Sequence, residues 1–137
     1  MDKGIRLRLI WEDTDILEIT FSAWNGEFGG VTKMYLEHGR LIEIASLLEG
    51  FPQSPKDERK LKLGDFRPDG FGGAALRLYI KDLAGHPWVE ASLHTENHDQ
   101  TVTLHAPFER AALDSFVSEI KKIEDEMYST AFLRTNQ

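Results

Sequence analysis

The sequence predicts an α+β fold: one antiparallel sheet of six or seven strands, with two helices packed on one face as a two-layer sandwich. Three observations carry this expectation. Several short runs alternate apolar and polar residues, the period of half-buried strands. Two stretches, 37–49 and 107–127, switch to spacings of three and four, the period of an amphipathic helix. The order is strands, helix, strands, helix. An antiparallel sheet must bury one face, and two amphipathic helices are available to cover it.

Ile5, Leu7, Leu9 and Trp11 alternate with Arg6 and Arg8, so the first four are expected inward. Glu12–Asp15 is a polar turn. Leu17, Ile19, Phe21 and Ala23 then alternate with Glu18, Thr20 and Ser22, completing a hairpin. Trp24–Gly30 holds Asn-Gly and Gly-Gly pairs, which permit positive φ and turn the chain. Val31–Leu36 reads as a third strand.

Leu41, Ile44, Ala45 and Leu48 form one helical stripe. Gly50 and Pro52 stop that helix. Lys60–Leu63 is a short strand with Leu61 and Leu63 inward. Gly64–Gly73 reads GDFRPDGFGG, a loop with four glycines and two phenylalanines.

A three-stranded meander comes next. Its inward residues are Ala74, Leu76, Leu78 and Ile80, then Val89, Ala91 and Leu93, then Val102, Leu104 and Ala106. Pro107 opens the last helix, whose stripe is Leu113, Phe116, Val117, Ile120, Ile123 and Met127. Residues 1–128 therefore read as a single domain. Residues 129–137 show no periodicity and are expected to be a loosely ordered tail. Periodicity does not decide whether the first strand group and the meander pack as one sheet or as two.

Composition narrows the function. The 137 residues carry 16 Lys+Arg against 23 Asp+Glu, a net charge of −7. Phosphate affinity comes from Lys and Arg, so a general nucleic-acid binder is not expected. The run KDERKLK at Lys56–Lys62 carries its own acids and reads as a solvated strand approach. An acidic surface is compatible with a basic protein partner, and it also keeps proteins soluble. The absence of cysteine excludes a disulfide scaffold, a thiol nucleophile and cysteine-ligated metal sites. No signal-peptide pattern and no apolar run of membrane-spanning length occur. A cytoplasmic protein without membrane contact is the expectation.

Turn lengths in the meander set a register. Pairing Lys81 with His86 places Tyr79 opposite Trp88 and Arg77 opposite Glu90. Pairing His94 with Thr101 places Glu90 opposite His105. The outer face then carries a row Arg77–Glu90–His105 with Tyr79 and Trp88 beside it, neighbours roughly 4.5–5.5 Å apart at Cβ. A one-residue slip would turn the set inward, against the hydrophobic pattern. Two readings share this row. One is a solvated ion-pair row worth ~0–1 kcal/mol. The other is a docking platform, since Trp, Tyr and Arg are the residue types of binding hot spots. Glu90 and His105 are also the residue types of a general acid/base dyad, which needs a concave site.

Other chemistries find less support. His94 and His98 lie four apart, but on a strand end and its turn rather than on a helix. With His105 and Glu96 they would suffice for a metal only if the hairpin brought them together. Surface histidines in a polar turn are the plainer reading, and no metal or cofactor is expected. No Gly-x-Ser-x-Gly elbow occurs. The glycine-rich stretches lack the Gly-Lys-Ser/Thr of a phosphate loop. They read as turns, or alternatively as a mobile binding loop presenting Phe66, Arg67 and Phe71.

Four stretches resemble small uncharacterised bacterial proteins of the domain-of-unknown-function kind, some of them immunity-protein-like. They are LIEIASLLEGFP at Leu41–Pro52, the loop GDFRPDGFGG, RLYIKDLAGHPWVEASL at Arg77–Leu93 and ALDSFVSEI at Ala112–Ile120. These are packing and turn motifs, so the resemblance carries over no functional residue. It implies a bacterial cytoplasmic protein with a protein-binding role.

The expected function is therefore a non-enzymatic protein-interaction module, immunity-like or regulatory. Its surface would be Arg77, Tyr79, Trp88, Glu90 and His105, with Phe66 and Phe71. Its partner would be another protein or a second copy as a homodimer. The alternative is a small-molecule binder or small enzyme, with a Glu/His acid–base pair near the glycine-rich loops. That alternative requires a closed, mostly apolar cavity.

Overall fold

The computed structural model describes residues 2–136. In chain order it contains β1 (Gly4–Glu12), β2 (Ile16–Trp24), β3 (Gly29–Glu37), α1 (Arg40–Leu48), β4 (Arg59–Gly64), β5 (Gly73–Ile80), β6 (Pro87–His94), β7 (Thr101–Pro107), α2 (Arg110–Ile120) and β8 (Thr130–Arg134). Short 3₁₀ turns lie at Glu96–His98 and Ile123–Asp125.

The α+β class agrees with the sequence reading, but the expected single sheet of six or seven strands is overturned. Eight strands form two four-stranded antiparallel sheets, ordered β3-β2-β1-β8 and β4-β5-β6-β7. The strand missing from the sequence reading lies in the tail, where Thr130–Arg134 pairs with β1. Ala131 and Leu133 point into the core. Two inward residues are too few to display a period of two.

The two sheets stay separate because β3 runs across the strand ends of the second sheet and contacts all four of its strands. The approach is close enough that the chain needs a glycine. A Cβ at Gly72 would overlap the Lys33 carbonyl and the Thr32 hydroxyl. Thr32 is buried and donates its hydroxyl to the His94 carbonyl at 2.8 Å. β3 therefore meets the second sheet across its strand ends and does not extend its hydrogen-bonded ladder.

The helices do not simply cover one face of one sheet. Instead, α2 packs on β8, α1 packs on α2, and α1 reaches β3 and β4 where the two sheets meet. Leu41, Ile44, Ala45 and Leu48 are buried, as the stripe predicts, as are Leu113, Phe116, Val117 and Ile120. Met127, at the end of the predicted stripe, is 37% exposed because the helix stops at Ile120. Pro107 ends β7 rather than opening α2. The inward residues of both sheets and both helices form one apolar core.

β1 holds a further departure. Ile5, Leu7 and Leu9 are buried as expected, but Trp11 is 44% exposed. A register shift between Leu9 and Trp11 turns the indole out. A bulge of this kind inserts one residue and reverses the facing of the residues beyond it.

Three of the four edge strands, β8, β4 and β7, carry side-chain caps. Phe132 N–H on β8 donates to Glu119 Oε1 at 3.0 Å. Arg40 Nη2 donates to the Lys62 carbonyl on β4 at 2.6 Å. Asn25 Nδ2 donates to the His105 carbonyl on β7 at 3.1 Å. Such cover blunts edge-to-edge pairing.

Candidate functional site

The meander adopts the register that turn length predicts. Arg77 lies opposite Glu90, Glu90 opposite His105, and Tyr79 opposite Trp88. The turns explain it. Asp82 accepts from the His86 backbone and ring, and Lys81 N–H donates to the His86 carbonyl, which closes the first hairpin. Thr95 N–H donates to the Gln100 carbonyl and closes the second.

Glu90 is the hub of the row. Arg77 Nε donates to its Oε1 at 3.0 Å, and His105 Nε2 lies 3.4 Å from its Oε2. Arg77 Nη1 reaches Glu58 Oε2 at 3.2 Å. The guanidinium also lies 4.0 Å from the centroid of Tyr79, a cation–π contact. Pairing with Glu90 holds the Arg77 pKa further up. Tyr79 OH and His105 Nδ1 are 3.2 Å apart, and burial pushes the Tyr79 phenol up. Trp88 is half-buried, with Lys81 Nζ 3.7 Å from its ring centroid.

The face extends further, to its β4 side. Lys60 lies opposite Arg77, and Lys62 opposite Ala75. Ala75 lies opposite Ser92, which lies opposite Thr103. Ser92 and Thr103 hydroxyls are 2.9 Å apart. The small side chains Ala75, Ser92 and Thr103 make a low floor beside the taller Arg77–Glu90–His105 row. A depression of about 610 Å³ opens over this region, flanked by Arg40 and Leu47 of α1 and by Lys60 and Lys62. The signal for the two lysines was present. Leu61 and Leu63 point inward, so period two places Lys60 and Lys62 outward. The long Gly64–Gly73 loop hid which strand they pair with.

The two phenylalanines of that loop part company. Phe66 stays with this sheet, edge-on to His94 at 4.7 Å and 4.9 Å from Lys62 Nζ. Phe71 crosses to the first sheet and stands edge-on to Tyr35. Asp65 holds the loop in this shape. It accepts from Arg67 N–H at 3.0 Å, Arg67 Nη2 at 2.6 Å and Phe71 N–H at 3.1 Å. The Arg67 side chain, then the loop amides, keep the Asp65 carboxyl well below the usual range.

The histidines do not converge on a metal. His94 and His98 rings are stacked, 4.1 Å apart and within 5° of parallel. Lone pairs of parallel rings do not meet at one ion. His94 Nε2 is already bound to the Asp65 carbonyl. His105 lies four residues along β7 from the partner of His94, roughly 13 Å away. Among the described residues, no group of three His, Asp or Glu side chains is placed to hold a metal ion.

The Glu90–His105 pair lies within reach for proton transfer, and Arg77 shares the same carboxylate. The pair stands on an open sheet face, four residues from the Gly73 end of the strands. It is near the Trp24–Gly30 turn through the Asn25–His105 bond and remote from the Gly64–Gly73 loop.

Fold and face together define an α+β domain of two packed antiparallel sheets, one of which presents an uncovered polar and aromatic outer surface. Comparison with protein-family models, curated proteins and solved structures finds no match in any of the three. No helix among the described residues is long and apolar enough to cross a membrane.

Proposed function

We propose that this chain is a non-enzymatic protein-interaction module, immunity-like or regulatory and cytoplasmic, whose partner docks on the outer face of the second sheet. The observation that supports the reading is the juxtaposition on that face. A low floor of Ala75, Ser92 and Thr103 adjoins the Arg77–Glu90 row, and Tyr79 and Trp88 form the next row beyond it. A floor that admits a partner side chain, beside aromatic and arginine anchors, is the anatomy of a binding hot spot. The anchors are held by ion pairs and ring contacts before any partner arrives, which lowers the cost of ordering them. Lys60 and Lys62 flank the depression, so the docked segment offers carboxylates on that side.

The caps on three of the four edge strands favour a face-on partner over strand addition. A second copy of the chain is the other occupant of this face. Sedimentation of the purified chain distinguishes the two, since only the self-associating form gains mass on its own.

Ser92→Arg fills the floor with a long cation. It is expected to abolish partner capture while leaving the melting temperature within a few degrees, because Ser92 points outward. Undiminished capture by a folded Ser92→Arg chain would overturn the reading.

A further inference from the structure

The outer face of the first sheet carries a second row, created by the irregularity in β1. Leu9 pairs with Ile19, yet Trp11 pairs with Glu18. An unbroken register would set Trp11 opposite Leu17, which is fully buried. The bulge instead places the indole on the outer face beside Glu18. Glu18 lies opposite Tyr35 on the next strand. Phe71 stands edge-on to Tyr35, with centroids 5.1 Å apart and planes at 74°. Trp11, Ile16, Glu18, Tyr35 and Phe71 line a depression of about 500 Å³.

This arrangement costs the fold apolar burial, because an indole offers roughly 150–250 Å² to a core. Bulges that re-aim a side chain are concentrated beside functional sites. Phe71 is likewise brought from the other sheet to reach this place.

The second observation is the carboxylate. Glu90, Asp57 and Asp65 each pair with an arginine. Glu18 stands between Trp11 and Tyr35, with the Tyr35 hydroxyl as its polar neighbour. Glu18, then burial, then the charge of Glu96 push the Tyr35 phenol up. Arg8 and Lys33 belong to the next row along the strands, opposite Thr20.

We propose that Trp11, Glu18, Tyr35 and Phe71 form a cage that takes a lysine or arginine side chain of a protein partner. Ring faces attract a cation through their quadrupoles, and the carboxylate accepts its charge-assisted hydrogen bond. Ile16 offers an apolar surface for the side-chain stem. The net charge of −7 draws a basic segment toward the chain. The site stands apart from the second-sheet face and does not depend on it.

The test is amide and indole NMR of the full chain titrated with pentalysine, beside pentalysine acetylated at every side-chain amine. Pentalysine is expected to shift the signals of Trp11, Glu18, Tyr35 and Phe71, and the acetylated peptide to shift none. Glu18→Gln and Trp11→Ala, each with unchanged melting, are expected to weaken binding about tenfold. Glu109→Gln serves as the control acid and binds as wild type. Binding unaffected by Glu18→Gln and Trp11→Ala, shifts centred on other acids, or no shift at all would overturn the cage.

Discussion

Trp11 stands opposite Glu18 on the outer face of the first sheet, one position out of step with the Leu9–Ile19 pair. The offset turns a residue whose sequence position says core into a surface residue. Trp11→Ala is therefore expected to cost under about 1 kcal/mol of stability, as exposed substitutions do. Leu9→Ala, two residues earlier and fully buried, is expected to cost about 2–5 kcal/mol. Urea unfolding of the two variants checks the pair. A Trp11→Ala loss in the range of Leu9→Ala would place the indole in the core.

Gly72 sits where β3 crosses the second sheet. Gly72→Ala drives a methyl into the Lys33 carbonyl and the Thr32 hydroxyl. It is expected to destabilise by about 1–3 kcal/mol through overpacking against backbone. Outward-facing Ala75→Ser on the neighbouring strand is expected to stay within about 0.5 kcal/mol. Equal midpoints for the two in urea would contradict the crossing.

Asp65 organises the loop that carries Phe66 and Phe71. Asp65→Asn keeps the shape and removes the charge that Arg67 answers. Nicking of residues 66–71 by a non-specific protease is expected to accelerate. The pH dependence has a definite sign. The folded carboxyl lies below its unfolded value of about 3.9, so its contribution is present above that pH. It is lost as pH falls through the lower folded value. Asp65→Asn is expected to flatten acid destabilisation in that window.

His38 works in the opposite direction. Its Nε2 lies 2.7 Å from the Asp13 carbonyl and its Nδ1 lies 2.9 Å from Glu124 Oε1. Both ring nitrogens face acceptors, so only the protonated ring donates to both. The Asp13 carbonyl, then Glu124, raise the His38 pKa. Stability from this latch is full below the unfolded value of about 6.5 and is lost as pH rises through the raised folded value. Melting temperature of wild type minus His38→Gln, tracked from acid to alkaline pH, is expected to shrink across that interval. A difference that grows with pH would contradict the latch.

Much of the second sheet was legible because its information is local. Two short turns and strict alternation fix the partners of Arg77, Tyr79, Glu90 and His105. The first hairpin was legible up to Leu9 and no further, because a bulge adds a residue without changing the alternation of letters. β8 was hidden for another reason. TAFLR is five residues long, and it pairs with β1 from the other end of the chain. The split into two sheets depends on Gly72 and Thr32 meeting across sheets, which no short-range pattern records. The floor of Ala75, Ser92 and Thr103 escaped notice because small outward residues carry no signal until their neighbours are tall.

The most direct measurement compares capture from a lysate of the source cell by the wild-type chain and by Trp88→Ala, both with verified folding. Docking on the second-sheet face predicts one stoichiometric protein with the wild type and its loss with the variant. The same protein retained at full stoichiometry by Trp88→Ala would contradict the claim and move the interface elsewhere on the molecule.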